Sequence, residues 1–256
     1  MRFKHTEHID NGVTQYEFDI QVAGEIVPGV LWIPEGNAPR VLLAMGHGGS
    51  SHKKSENISK RAIHYAKNMG WASLAIDAPK HGGRISPEEA DLERVKTLAR
   101  IKGDPKATAL SVEEKIKFLD NLAAQAIPEW QAALGAVLES GLIAAEPTLA
   151  YWGVSQGSSI GIPLLGADKR FTCAVLGLAQ LHPEHSSLKL AAQKIHIPLR
   201  FVFQWDDAIR NRDYGLALFD AFASKEKSMH INPGGHTEVP ELEIESWDNF
   251  FANYLL

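Results

Sequence analysis

The sequence has little cysteine, no excess of basic residues and no long apolar run. Its single cysteine, Cys173, excludes a framework of disulfide bonds within the chain. The net charge of −5, without any basic cluster, gives no sign of a nucleic-acid partner. No apolar stretch has the length of a membrane-spanning helix, and the first residues do not resemble a signal peptide. We therefore expect no membrane association and a cytoplasmic protein.

What is present is the composition of an ordinary globular protein. The 256 residues are 45% hydrophobic and 22% charged, and no internal repeat is visible. A chain of this length can bury a substantial core within one domain, so we expect residues 1–256 to form a single unit. Cys173 lies in the apolar run 171–176, which favours a buried strand residue over a nucleophile.

Short apolar runs alternate with segments of helical periodicity. The strand candidates are residues 16–22, 26–33, 40–45, 71–76 and 228–231, with three more centred on Tyr151, Val175 and Phe201. Nearly continuous apolar runs are typical of strands buried on both faces, so the pattern predicts an α/β fold. We expect a mostly parallel twisted sheet with helices on both faces and an antiparallel N-terminal hairpin around Gly24-Glu25. Pro28 suits an edge strand, and the residues around His5 and His8 are expected to be mobile.

A long segment between strands interrupts this alternation. Ser86 and Ser111 each begin a helical pattern as an N-cap, and the second pattern continues towards Leu138. Pro128 within it predicts a break or kink near Ile127. We interpret residues 85–125 as a helical insertion that covers the carboxyl edge of the sheet as a cap. A longer crossover without that role explains the length almost equally well.

The most informative motif is Gly153-Val154-Ser155-Gln156-Gly157, which lies between a strand candidate and a helix candidate. A serine on so sharp a turn needs glycine two positions away on each side, because a Cβ there would collide with neighbouring backbone. The motif is short enough to arise by chance, but its context favours Ser155 as a nucleophile.

A serine hydroxyl needs a base, and the base needs a carboxylate to orient it. Among the eleven histidines, His236 alone follows glycines in a loop between a strand and the last helix. The acid should follow the strand centred on Phe201, where Asp206 and Asp207 are adjacent. We favour Asp207, because the apolar Ile209 two positions on would bury the loop beneath that acid.

A second glycine loop, Gly46-His47-Gly48-Gly49-Ser50, follows the strand 40–45. Its backbone N–H groups could approach a developing negative charge, so Gly49 and Gln156 are the candidate oxyanion donors. His47, Gly48 and Trp205 are candidate substrate-binding residues. A phosphate-binding loop is disfavoured because no Gly-Lys-Ser/Thr follows, whereas a purely structural turn stays open. The histidine pairs in this and later loops lack further ligands, so we predict no metal site.

Together these motifs resemble the α/β-hydrolase superfamily, and within it the dienelactone-hydrolase-like and prolyl-oligopeptidase-like serine esterases. The resemblance runs from about Ile26 to the C-terminus. Dienelactone hydrolases carry cysteine where this chain has Ser155, which points instead to general carboxylesterase chemistry.

The resemblance implies that Ser155, Asp207 and His236 cleave a small ester through an acyl-enzyme, without a cofactor. A peptidase or thioesterase with the same triad is the nearest alternative. A non-catalytic binding scaffold and an interaction module built on residues 85–125 are more distant ones. Nothing in the sequence indicates the oligomeric state.

Overall fold

The computed structural model describes residues 1–9, 12–104, 106 and 110–255. Its described strands form one nine-stranded sheet in the order β1-β2-β3-β5-β4-β6-β7-β8-β9. The strands are β1 (Arg2–Ile9), β2 (Val13–Val22), β3 (Glu25–Pro34), β4 (Val41–Gly46), β5 (Ala72–Ile76), β6 (Thr148–Val154), β7 (Phe171–Gly177), β8 (Leu199–Gln204) and β9 (Lys227–Asn232). The pairs β1–β2, β2–β3 and β3–β5 are antiparallel, and all other pairs are parallel.

The described part of the chain has seven α-helices, of which six lie between strands of this sheet and the last follows β9. They are α1 (Glu56–Met69), α2 (Pro87–Ile101), α3 (Val112–Leu138), α4 (Gln156–Ala167), α5 (Ser186–Ala192), α6 (Arg212–Ala221) and α7 (Glu241–Leu255). None of the described helices is both long and apolar enough to cross a membrane. The predicted α/β class with a mostly parallel sheet is confirmed.

Side-chain alternation along the central strands builds two cores, one on each face of the sheet. In β4, Val41, Leu43 and Met45 pack with α1 and α7, whereas Leu42 and Ala44 belong to the core under α3, α4, α5 and α6. Burial on both faces explains why these strands are almost uniformly apolar. Cys173 belongs to the core that packs against α1 and α7, and burial raises the pKa of its thiol to about 12.

The N-terminal hairpin is confirmed, but the strand before it was not expected. The tip is formed by Ala23 and Gly24, at φ of 51° and 87°, the left-handed backbone that a tight two-residue hairpin requires. The N-terminal residues, which we expected to be mobile, form β1 instead, with Thr6 opposite Tyr16. Almost every residue of β1 is exposed, so the strand leaves no pattern of burial in the sequence.

The expectation that Pro28 marks an edge strand was wrong, since β3 has β2 on one side and β5 on the other. Pro28 lies one position before Gly29, the first residue that pairs with β5. Its carbonyl oxygen accepts a hydrogen bond from the backbone N–H of Asp77 at 2.9 Å. The proline is tolerated because it lies just before the short ladder between β3 and β5 and does not interrupt its hydrogen bonds.

The segment 85–125 is helical, as predicted, and consists of α2 and the first half of α3. Both helices begin at the predicted serines, Ser86 and Ser111, each in a reciprocal capping box with the glutamate three residues on. No residue of α2 is buried. Residues 105 and 107–109 of the segment lie outside the described part. The expected break near Ile127 does not occur, because α3 continues through Pro128 as one helix.

Pro128 is exposed and lacks the N–H that would bond to the carbonyl four residues earlier. We therefore expect Pro128→Ala to raise the free energy of unfolding by about 1–3 kcal/mol, measured by urea denaturation. The matched control is Pro87→Ala at the first position of α2, where an N–H has no helical acceptor and no gain is expected. An equal gain in both variants would contradict this explanation.

Candidate active site

Ser155 lies at the junction of β6 and α4, above the carboxyl edge of the sheet. Its backbone has φ 58° and ψ −118°, a left-handed conformation that is unfavourable for a residue with a side chain. The backbone N–H of Ser155 donates to the carbonyl oxygen of Gly177, at the end of β7, at 2.9 Å. The turn therefore projects the hydroxyl away from the strand and holds it there.

The glycines of the motif are required by direct backbone packing. A Cβ on Gly157 would overlap the carbonyl of Gly46 at the end of β4, and one on Gly153 would lie 2.9 Å from the ring of Tyr151. The hydroxyl of Tyr151 in turn donates to the carbonyl oxygen of Gly157 at 2.7 Å. These contacts bring the start of α4 against the end of β4, and so place Ser155 beside the loop that follows β4.

His236 and Asp207 line up behind the serine. Nε2 of His236 is 2.9 Å from Oγ of Ser155, and Nδ1 of His236 is 2.6 Å from Oδ2 of Asp207. The other oxygen of Asp207 accepts the backbone N–H of Ile209 at 2.9 Å. Both the carboxylate and the imidazole are buried. This order of contacts matches the arrangement in which an acid orients a base that removes the serine proton.

The structure brings Asp207, and not Asp206, to the histidine. Asp206 is exposed, and its Oδ2 accepts the backbone N–H of Gly234 at 3.0 Å, while its own N–H donates to the Gly234 carbonyl. Asp206 therefore ties the loop of His236 to the loop after β8 without touching the imidazole. Adjacent carboxylates have different tasks because they leave the strand end in different directions.

The loop of Gly46-His47-Gly48-Gly49-Ser50 lies next to the turn of Ser155. A Cβ on Gly49 would lie 3.3 Å from Oε1 of Gln156, so the two segments are in contact. Gln156 is the first residue of α4, where a backbone N–H has no partner inside the helix. Gly49 thus lies beside the side chain of Gln156, the residue that directly follows Ser155.

His47 supports this loop from beneath. The ring is buried, Nδ1 donates to the Gly48 carbonyl at 2.8 Å, and Nε2 accepts the N–H of Ala78 at 3.0 Å. Both nitrogens are therefore engaged by the chain itself, which makes His47 a positioning residue and leaves no ring nitrogen for a substrate. Burial lowers the pKa of His47 to about 4, so the ring is neutral at ordinary pH.

Asp77 connects the loop after β5 with the segment after the glycine loop. Its buried carboxylate accepts hydrogen bonds from Nζ of Lys53 at 2.7 Å and from the backbone N–H groups of Lys53 and Gly83. Burial alone would raise the pKa of Asp77, but these bonds outweigh it and hold the pKa below its usual value. The aspartate therefore fixes two loops around one buried charge.

Gly48 and Trp205, the other candidate substrate-binding residues, lie on these loops. Gly48 has open space where a Cβ would stand. Trp205 follows β8, is half exposed, and carries the guanidinium of Arg212 stacked 4.2 Å from its ring centre. No group of three or more potential metal ligands occurs among the described residues.

Two contacts of this site were not predicted from the sequence. Oγ of Ser50 is 2.6 Å from Oγ1 of Thr97 and donates to the carbonyl of Glu93, so α2 rests on the glycine loop. Nη2 of Arg210 lies 3.5 Å from Oγ of Ser155. Thr97 lies in the insertion that we expected to cover this edge. In the sequence, only its position three residues after Asp207 connects Arg210 with this site.

Known structures resemble this chain over its whole length. A cold-adapted esterase from an Arctic intertidal metagenomic library shares 29% of its residues, with a TM-score of 0.82 and all of both chains covered. An acetyl xylan esterase from Paenibacillus sp. R4 is 19% identical, with a TM-score of 0.71 over 99% of this chain and 88% of the other.

A dienelactone hydrolase from Anabaena variabilis is 15% identical, with a TM-score of 0.66 over 96% of this chain and all of the other. No protein-family model matches the chain, and neither does any curated protein. The last two structural likenesses are evidence of a shared fold alone.

The neutral, buried His47 makes stability depend on pH. Its folded pKa of about 4 lies below the ordinary value of 6.5, so the unfolded chain binds more protons between those values. The free energy of unfolding should fall by about 3 kcal/mol from this residue alone as the pH drops from 6.5 to 4. In His47→Gln this part of the decline should be absent.

The measurement is urea denaturation at several pH values across that window. The exposed His196 offers a matched control, because His196→Gln should keep the wild-type pH dependence. Burial also lowers the pKa of His81, so some decline will remain in both variants. An unchanged slope in His47→Gln would refute the assignment.

Proposed function

We propose that the chain is a serine carboxylesterase of the α/β-hydrolase superfamily. The observation that carries the proposal is the continuous series of contacts from Asp207 through His236 to Ser155, at 2.6 and 2.9 Å. A binding scaffold without catalysis has no need of a strained serine, a buried histidine and a buried carboxylate in that order.

In the proposed reaction, the hydroxyl of Ser155 attacks the ester carbonyl while Nε2 of His236 takes its proton. This requires Nδ1 of His236 to carry a hydrogen, which it donates to Asp207. The carboxylate holds this tautomer and stabilises the imidazolium that forms. The imidazolium then protonates the departing alcohol, leaving an acyl group on Ser155.

The negative charge on the attacked carbonyl oxygen would be met by the N–H groups of Gly49 and Gln156. The position of the glycine loop depends on the buried ring of His47, because that ring bonds to both Gly48 and Ala78. A preorganised pair of donors stabilises the tetrahedral intermediate without rearrangement. Water activated by His236 then attacks the acyl-enzyme and releases the acid, so that no cofactor enters the cycle.

We also propose that α2 acts as a cap over the carboxyl edge of the sheet. Its link to the catalytic region is through Ser50, which bonds to both Glu93 and Thr97. A helix without buried residues is held weakly and can move at modest cost. Peptide and thioester substrates would use the same triad, and the esterase neighbours favour the oxygen ester.

Ser155→Ala should remove the activity while leaving the fold intact. With a short-chain p-nitrophenyl ester, we expect kcat/KM to fall by about three to six orders of magnitude. Ser159→Ala, one turn further along α4, is the matched control and should keep near wild-type activity. Circular dichroism and thermal unfolding verify both folds. Undiminished turnover in Ser155→Ala would overturn the mechanism.

The two adjacent aspartates give a second test. Asp207→Asn should lower kcat about 10⁴-fold, because an amide cannot hold the working tautomer of His236. Asp206→Asn should lower it by less than about tenfold, since an amide oxygen can still accept the Gly234 N–H. Steady-state kinetics of both variants on one ester decides between them. A loss confined to Asp206→Asn would reverse the assignment.

A further inference from the structure

Arg210 presents a cation at the nucleophile that the triad mechanism does not use. Its Nε donates to the Leu178 carbonyl at 2.8 Å and its Nη1 to the Ile209 carbonyl at 3.1 Å. Its Nη2 lies 3.5 Å from Oγ of Ser155. The two carbonyls fix the guanidinium plane. With a third N–H directed at Oγ of Ser155, two of its five N–H donors remain without an acceptor among the described residues.

The charge of Arg210 also has no carboxylate partner in the described part of the chain. The one acid close enough to act on it is Asp207, whose oxygens are already bonded to His236 and to the N–H of Ile209. Burial lowers the pKa of Arg210, which reflects the cost of holding this cation away from water. A desolvated charge without an ion pair is expensive, so an anion that binds there is favoured.

A second cation, Arg100 of α2, acts on Arg210. Arg100 lies close enough to lower the pKa of Arg210 further. Its Nη2 donates to Oγ1 of Thr97 at 3.0 Å, and Thr97 in turn contacts Ser50 of the glycine loop. Two preceding acids of α2 have other partners, since Asp91 pairs with Arg94 and Glu93 with Lys96. The positive charge of Arg100 is thus tied, through Thr97, to the glycine loop next to Ser155.

We propose that Arg210, assisted by Arg100, selects esters that carry a carboxylate near the reacting carbonyl. Arginine is suited to this task because its planar fork matches a carboxylate. The inference rests on the proposed esterase function and adds the substrate class to it. The protein has a net charge of −5, so a cation at the nucleophile is opposite in sign to the charge of the whole chain.

The distances limit how far the carboxylate can lie from the ester. A carbonyl carbon ready for attack is about 3 Å from the serine oxygen, and a carboxylate oxygen bonds to Nη2 at about 2.8 Å. With 3.5 Å between Nη2 and Oγ of Ser155, a spacer of only a few atoms fits. Monoesters of short dicarboxylic acids meet this condition, and so do acyl esters of short hydroxy acids.

The test compares charged substrates with neutral analogues of the same shape. Monomethyl succinate carries a carboxylate on the acid side of the ester, and methyl succinamate carries an uncharged amide in the same place. Each is cleaved with one water to methanol and the free acid. Acetoxyacetate and acetoxyacetamide make the same comparison on the alcohol side. We expect kcat/KM to favour the charged member about tenfold to a hundredfold in at least one pair, the range of one charge-assisted hydrogen bond.

Variants assign that preference to the arginines. In Arg210→Gln the ratio of charged to neutral kcat/KM should fall to within about threefold of unity, and in Arg210→Lys part of it should return. Arg100→Gln should reduce the ratio less. Arg94→Gln, an exposed arginine on the same helix, is the matched control and should leave the ratio unchanged.

The outcomes separate this inference from the proposed function. Hydrolysis of both members of each pair at equal rates would overturn the inference and leave the esterase in place. A fall in Arg210→Gln on charged and neutral esters alike would assign Arg210 a structural role and also overturn it.

If the wild type cleaves no ester, the esterase proposal fails, and calorimetry on Ser155→Ala still tests the inference. Tighter binding of monomethyl succinate than of methyl succinamate would support it, and equal binding would reject it.

Discussion

The backbone contact between Gly157 and Gly46 is the constraint on which the site depends. It lets α4 start directly against the end of β4, and it leaves no room for a side chain on either residue. Because of this approach, Ser155 adopts a left-handed backbone and its hydroxyl stands next to the glycine loop. Ser155 and the glycine loop are thus neighbours by virtue of chain packing, before any side chain takes part.

The loops around this contact are held by buried polar groups. His47 joins the glycine loop to Ala78, and Asp77 joins Lys53 to Gly83, each through groups removed from water. Buried groups of this kind are favourable only when their hydrogen bonds are complete, so they permit few arrangements of the loops. The contact of α2 with this loop is different, since α2 contributes no buried residue and rests on Ser50.

Much of the fold follows from local signals that the sequence contains in full. Apolar runs predict the central strands, and Ser86 and Ser111 predict the starts of α2 and α3. The misses have physical causes. β1 is exposed on both faces, so no alternation marks it. Pro128 does not break α3, because packing of residues such as Leu122 and Trp130 against the sheet holds the helix on both sides of it.

The sequence by itself determined the fold class and the order of serine, acid and histidine, because these depend on local pattern and on chain order. Tertiary structure decided which of two adjacent aspartates reaches His236, since that depends on the direction in which each side chain leaves the turn. It also decided that Arg210 reaches Ser155 and that Arg100 is tied to the glycine loop through Thr97. These residues are distant from Ser155 in sequence, so only the folding of the loop after β8 and the packing of α2 on the glycine loop bring them to this region.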